Sequence, residues 1–189
     1  MIFAEAIFSK PGSDNIKGFV AFSQYDPNFV RVDIELKDVP IGFHGIHVHE
    51  HSINFNIDKD FCSQAKGHFN GPLKTWSPKT PDGIPHGSFI FKTERHIGDL
   101  CNNIISIDGN VKISYNDYLI SLIPKHPNCI LGRSVVIHDS KDDEGLYMVK
   151  KNSKQDKKLF IESKITGNAG KRIACSNIIL LDIILQNQY

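Results

Sequence analysis

The chain has 189 residues, 40% of them hydrophobic, with 22 Lys and Arg against 21 Asp and Glu for a net charge of +1. That length suits one core and is short for two, so one domain is expected over residues 1–189, with a short C-terminal extension from about 183. Balanced charge argues against nucleic acid, the lack of eighteen consecutive apolar residues argues against a membrane, and Met1 to Gly12 lacks a signal-peptide pattern, so a cytoplasmic location is expected.

In chain order, short apolar runs at 2–8 and 16–23 read as the first strands, separated by the turn-former Pro11-Gly12. Residues 31–37 alternate cleanly, with Val32, Ile34 and Leu36 on one face and Arg31, Asp33, Glu35 and Lys37 on the other, the pattern of a half-buried antiparallel strand. Further runs at 43–49, 103–107, 110–115, 133–138 and 172–181 bring the expected number to about eight, with Asp108-Gly109 as another turn. The fold class expected is all-β, an eight-stranded Greek-key sandwich or barrel of immunoglobulin-like type, with no strong amphipathic helix. Two long strand-poor stretches, from Glu50 to about Arg95 and from Asp139 to about Lys171, are expected to be functional loops.

The chemistry is carried by His47-x-His49, His68, His86, His96-x-x-Asp99 and His138. In a strand, alternate side chains share a face, so His47 and His49 project together about 7 Å apart, within reach of one metal ion. Ile46 and Val48 then face the opposite way, into a core. A lone His-x-His is more often coincidence than a ligand pair; the later histidines and Asp99 give the pattern its weight.

The segment Phe43-His44-Gly45-Ile46-His47-Val48-His49-Glu50 resembles the copper/zinc superoxide dismutase family, and four further segments resemble it in the same order. They are Gly67-His68-Phe69-Asn70, Arg95 to Leu100, Gly132 to Asp139, and Gly167 to Cys175. The resemblance implies a copper ion held by His47, His49, His68 and His138, and a zinc ion held by His68, His86, His96 and Asp99, with His68 shared. Imidazole suits both metals, and a ring can bridge them only as imidazolate, a form that a bound cation makes accessible. The resemblance further implies that Asp142 accepts hydrogen bonds from His47 and His86, fixing their tautomers. It implies a redox cycle on superoxide, with His68 as ligand and proton carrier and Arg172 docking the anion. It also implies a homodimer, with Ile130, Leu131 and Ile178 as apolar candidates, and a copper chaperone as partner for metal loading.

Four cysteines in an intracellular chain are by default reduced. The resemblance instead implies a disulfide between Cys62 and Cys175, leaving Cys101 and Cys129 as free thiols. His44, His51 and His126 fall outside the ligand pattern; His44 is read as structural.

The chain departs from the family pattern in an insertion over 72–85, just before His86, and in a lysine-rich one over about 146–160, with Lys150, Lys151, Lys154, Lys157 and Lys158. Ile165 stands where the family has a loop lysine. The competing classes are a metal-buffering relative without turnover and a zinc hydrolase built on the His-x-His pair.

Overall fold

The computed structural model describes residues 1–13, 15–57, 60–90, 94–151 and 153–183. They form two antiparallel sheets. In chain order the strands are β1 (Ile2–Phe8), β2 (Lys17–Asp26), β3 (Phe29–Lys37), β4 (Gly42–His49), β5 (Asn103–Ser106), β6 (Val111–Asp117), β7 (Ser134–His138), β8 (Arg172–Asn177) and β9 (Ile179–Ile183). One sheet has the order β6-β3-β2-β1-β9 and the other β5-β4-β7-β8. The alternation in β3 is realised, with Val30, Val32, Ile34 and Leu36 buried and Arg31 and Glu35 exposed. Phe8, Phe22, Ile46, Ile104, Leu122 and Ile137 join them in one core between the sheets. Each such side chain contributes about 1.5–3 kcal/mol of burial.

β4 lies between β5 and β7 and is buried on both faces from His44 onward. Ile46 and Val48 enter the core, while His47 and His49 stand on the other face, paired in register with Val136 and Ser134. This strand therefore joins core to site: a one-residue slip would exchange the histidines for the aliphatics.

The expected eighth strand divides. Ile178 is buried in the core, and the chain crosses there from β8 in one sheet to β9 at the edge of the other. The second strand-poor stretch, expected to be a loop, contains a helix: α1 spans Lys154–Thr166 and is not amphipathic. Ser153 caps its N-terminus by accepting from the Asp156 amide, and Gly167 ends it in the left-handed region at φ 66°. Its buried residues are Asp156 and Ser163, so polar contacts seat it rather than an apolar stripe. Asp156 accepts from the Tyr147 hydroxyl and the Lys150 and Lys151 amides, while Ser163 Oγ donates to Asp143. Of the extension, Ile183 closes β9, and residues 184–189 lie outside the described residues.

Cys62 and Cys175 form a disulfide, Sγ to Sγ 2.02 Å, tying the 3-10 turn Phe61–Ala65 to β8. Cys101 and Cys129 are free thiols. Phe61 packs edge-on against Phe55 at 5.5 Å beside this bridge.

Candidate metal centre

Every histidine singled out for metal binding is buried, and the fold gathers them from strands and loops far apart in sequence. His68 reaches β4 because Phe69 donates to the Val48 carbonyl at 2.9 Å and Glu50 donates to the Gly67 carbonyl at 3.0 Å. Asp99 arrives on the 3-10 turn Ile97–Asp99, where Gly98 lies so close to β4 that a Cβ there would be 2.1 Å from the Val48 carbonyl oxygen. His138 ends β7 at an irregularity in its pairing with β8, opposite Arg172.

The donors fall into two sets, His47, His49, His68, His138 and His68, His86, His96, Asp99; within each, one atom per residue lies within 4.8 Å of the others. Hydrogen bonds select which atom. His49 Nδ1 donates to the Lys66 carbonyl, His138 Nδ1 to the Gly170 carbonyl, His47 Nε2 to Asp142 and His96 Nε2 to the Ile84 carbonyl. A neutral ring that donates from one nitrogen presents a lone pair at the other. His47 Nδ1, His68 Nε2 and His96 Nδ1 accordingly are buried without a hydrogen-bond partner, and His49 and His138 turn Nε2 toward each other at 3.4 Å. Four of these lone pairs, on His47 Nδ1, His49 Nε2, His68 Nε2 and His138 Nε2, converge with no protein proton between them, an arrangement that a cation completes.

The second set converges on a carboxylate instead, with His96 Nδ1 bare and His68 and His86 donating from Nδ1 to Asp99. Asp99 Oδ2 accepts from the His96 and Gly87 amides, which leaves Oδ1 facing three Nδ1 atoms, of His68 and His86 at 2.9 Å and of His96 at 3.4 Å. Ligands on a tetrahedral zinc at about 2.0–2.1 Å stand about 3.3 Å apart, so these spacings suit that ion. The first set holds only imidazole nitrogen, a donor type that suits copper as well as zinc.

Asp142 joins the two sets. Its Oδ2 accepts from His47 at 2.7 Å and its Oδ1 from His86 at 2.8 Å, all three side chains being fully buried. It is placed by Asn103, which pairs with its backbone amide and carbonyl, and by Asn102, which donates to Oδ2 at 3.3 Å. Sequence reasoning did not single out Asn102, Asn103 or the Ile84 carbonyl; the asparagines' proximity to Asp99 is the only local signal, and their partner lies about forty residues on.

Electrostatics follow burial and pairing. Burial holds His49 and His68 well below the usual histidine range, seconded by the facing rings of His68 and His47 respectively. Burial and His47 take His138 down to about 3. For His86, burial opposes the charged form, but the charge of Asp99 and hydrogen bonds to Asp142 and Asp99 outweigh it and raise the ring to about 10. Asp99 is held well below the carboxylate range, against burial, by the charges of His86 and His96. Asp142 is depressed, also against burial, by its hydrogen bonds to His47 and His86.

Arg172 is half-buried, and its guanidinium donates to the carbonyls of Cys62 and Lys66. With Asp60, Ser63, Gly170 and Lys171 it lines an open surface depression. His44 bridges the carbonyls of Pro40 and His138, both at 2.9 Å, and so is structural, while His51 and His126 are exposed.

The family model described as copper/zinc superoxide dismutase matches residues 16–178. The chain is 36% identical over 161 residues to an extracellular superoxide dismutase [Cu-Zn] of Brugia pahangi, covering 85% of this chain and 68% of that protein. It is 36% identical over 163 residues to a superoxide dismutase [Cu-Zn] of Onchocerca volvulus, covering 86% and 87%. A solved structure of the clock protein EA4 superposes with a TM-score of 0.70 at 31% identity, covering 95% of this chain and 94% of that one.

Proposed function

The chain belongs to the copper/zinc superoxide dismutase family, and from that membership we propose how its residues divide the work of the reaction. The protein is an oxidoreductase that converts two superoxide anions and two protons to oxygen and hydrogen peroxide, with copper and zinc as cofactors. When bound, copper supplies one-electron exchange and zinc supplies a fixed positive charge.

His47, His49, His68 and His138 hold the copper, and His68, His86, His96 and Asp99 hold the zinc. The observation that carries this reading is the set of unpartnered buried nitrogens, His47 Nδ1, His68 Nε2 and His96 Nδ1, each aimed into its cluster. His68 is shared, with Nδ1 on the Asp99 side and Nε2 bare, and Nε2 is the atom at which the chain holds and releases a proton for the peroxide product. Asp142 keeps a proton on Nε2 of both His47 and His86, so that each turns Nδ1 to its cluster. Arg172, pinned by two carbonyls, orients the incoming anion with the remaining face of its guanidinium. The exposed lysines at and before α1 add to the positive field that attracts it.

A homodimer is supported by strand β9, where Ile179, Leu180 and Leu181 are 62%, 42% and 56% exposed at a sheet edge. Ile130 and Ile178 do not serve this purpose, because both are core residues; of the three expected apolar contacts only Leu131 is partly exposed.

Metal analysis with a superoxide dismutation assay tests the reading. The wild type is expected to bind one copper and one zinc per chain and to turn over, and His68→Ala to lose turnover. Copper bound without turnover would indicate a metal buffer, and zinc alone with esterase activity a hydrolase.

A further inference from the structure

The two segments that set this chain apart from the family pattern, 72–85 and about 146–160, meet over the zinc subsite. Trp76 packs edge-on against Phe160 of α1, ring centroids 6.1 Å apart and planes at 89°. Beneath that contact the first segment, and α1, which continues from the second, each hold one residue of the zinc set. The Ile84 carbonyl accepts from Trp76 N at 2.8 Å and from His96 Nε2 at 3.1 Å, while Ile84 N donates to the Lys74 carbonyl at 2.7 Å. On the other side, His86 N donates to the Lys164 carbonyl of α1 at 2.8 Å. The first segment is closed tightly on itself: a Cβ on Gly83 would stand 2.6 Å from the backbone of Thr75 and Trp76, and Thr80 Oγ1 donates to the Thr75 carbonyl at 2.8 Å. A movement of Trp76 is therefore transmitted to Ile84, and so to the ring of His96. A movement of α1 is transmitted to the backbone of His86.

We infer that Trp76 and Phe160 form an aromatic latch that joins the two insertions into one unit and positions His96 and His86 for zinc. Both are positioning residues, acting through the Ile84 and Lys164 carbonyls, and the inference rests on the reading of His68, His86, His96 and Asp99 as the zinc site. Partners that orient a ligand ring are commonly worth about 10–100-fold in metal affinity. Polar contacts through Asp156 and Ser163 seat α1 on its own loop, and the Phe160 ring adds the side-chain contact that reaches the 72–85 segment.

The test is zinc affinity of the full-length metal-free chain, by competition with a chromophoric chelator, with copper affinity measured in parallel. Trp76→Ala and Phe160→Ala are each expected to weaken zinc by about tenfold and leave copper within about twofold. The double variant is expected to be no weaker than either single, because the two rings act as a pair. Trp76→Phe, which keeps an aromatic ring, is expected to restore affinity. Trp76 is the only tryptophan, so its emission reads the latch directly, and Phe160→Ala should shift it to longer wavelength as the ring meets water. Zinc affinity unchanged in the single variants, an equal loss of zinc and copper, singles that multiply in the double variant, or Trp76→Phe as weak as Trp76→Ala would each overturn the latch. His96→Ala keeps the premise separate: if it leaves zinc affinity intact, the zinc-site reading itself has failed.

Discussion

Replacing Asp142 by Asn tests the carboxylate that spans both donor sets. Asn keeps the size but turns one acceptor oxygen into an NH2 donor. If the NH2 takes the place of Oδ2, it meets the N–H of His47 at about the present 2.7 Å and the Asn102 amide; in place of Oδ1 it meets the N–H of His86 at about 2.8 Å and the Glu144 amide. In either orientation one buried histidine loses a charge-assisted hydrogen bond, about 1.5–3 kcal/mol, and is driven to the tautomer that carries its proton on Nδ1. That proton points into the metal cluster. At 1.4 kcal/mol per factor of ten, the loss corresponds to about 10–100-fold in affinity for at least one metal. Chelator competition on Asp142→Asn, reading copper and zinc separately, measures it. Affinity within about twofold of wild type for both metals would refute the argument that Asp142 sets the tautomers.

The metal-free protein should be most stable near neutral pH. Burial depresses His49, His68 and His138, so on acidification the unfolded chain takes up their protons first, and stability falls from about pH 6.5 toward the His138 value of about 3. His86 is raised to about 10, so its contribution is complete below about pH 6.5 and is lost as pH rises through 10; a melting temperature that climbs steadily from pH 6.5 to 10 would contradict this. Gly98→Ala should lower the melting temperature by several degrees and reduce zinc content, since its Cβ would press on the Val48 carbonyl that Phe69 uses to hold His68 in place; calorimetry with metal analysis reads both. Cys62→Ser opens a link across a sequence separation of 113 residues, about 5 kcal/mol in the chain-entropy account, and should lower the melting temperature by roughly 10–20 °C; a change of under 2 °C would contradict it. The rate of superoxide consumption should fall as ionic strength rises, and a flat salt profile would remove the role given to the exposed lysines.

Much of the site was legible because its signals are local. Alternation alone separates His47 and His49 from Ile46 and Val48. The ordered motifs around His68, His96 and His138 point to further residues that the fold gathers into the two clusters, and Asp142 accepts from both His47 and His86. What escaped depends on contacts that no short-range pattern encodes. Helix α1 has Leu159, Phe160 and Ile161 in succession rather than at helical spacing, and it is seated through Ser153, Asp156 and Ser163. The apolar run from Ile178 to Leu181 reads as one strand, and nothing local says that Ile178 turns into the core while its successors cross to the other sheet. Asn102 and Asn103 gain their meaning only from Asp142, brought beside them by the fold.

The most direct test of the account is a crystal structure of the metal-loaded protein with anomalous scattering recorded at the copper and zinc edges. Two peaks are predicted, copper among His47, His49, His68 and His138 and zinc among His68, His86, His96 and Asp99, with the His68 ring between them. A single ion, exchanged positions, or a His68 ring bound to only one metal in the oxidised protein would contradict the division of labour.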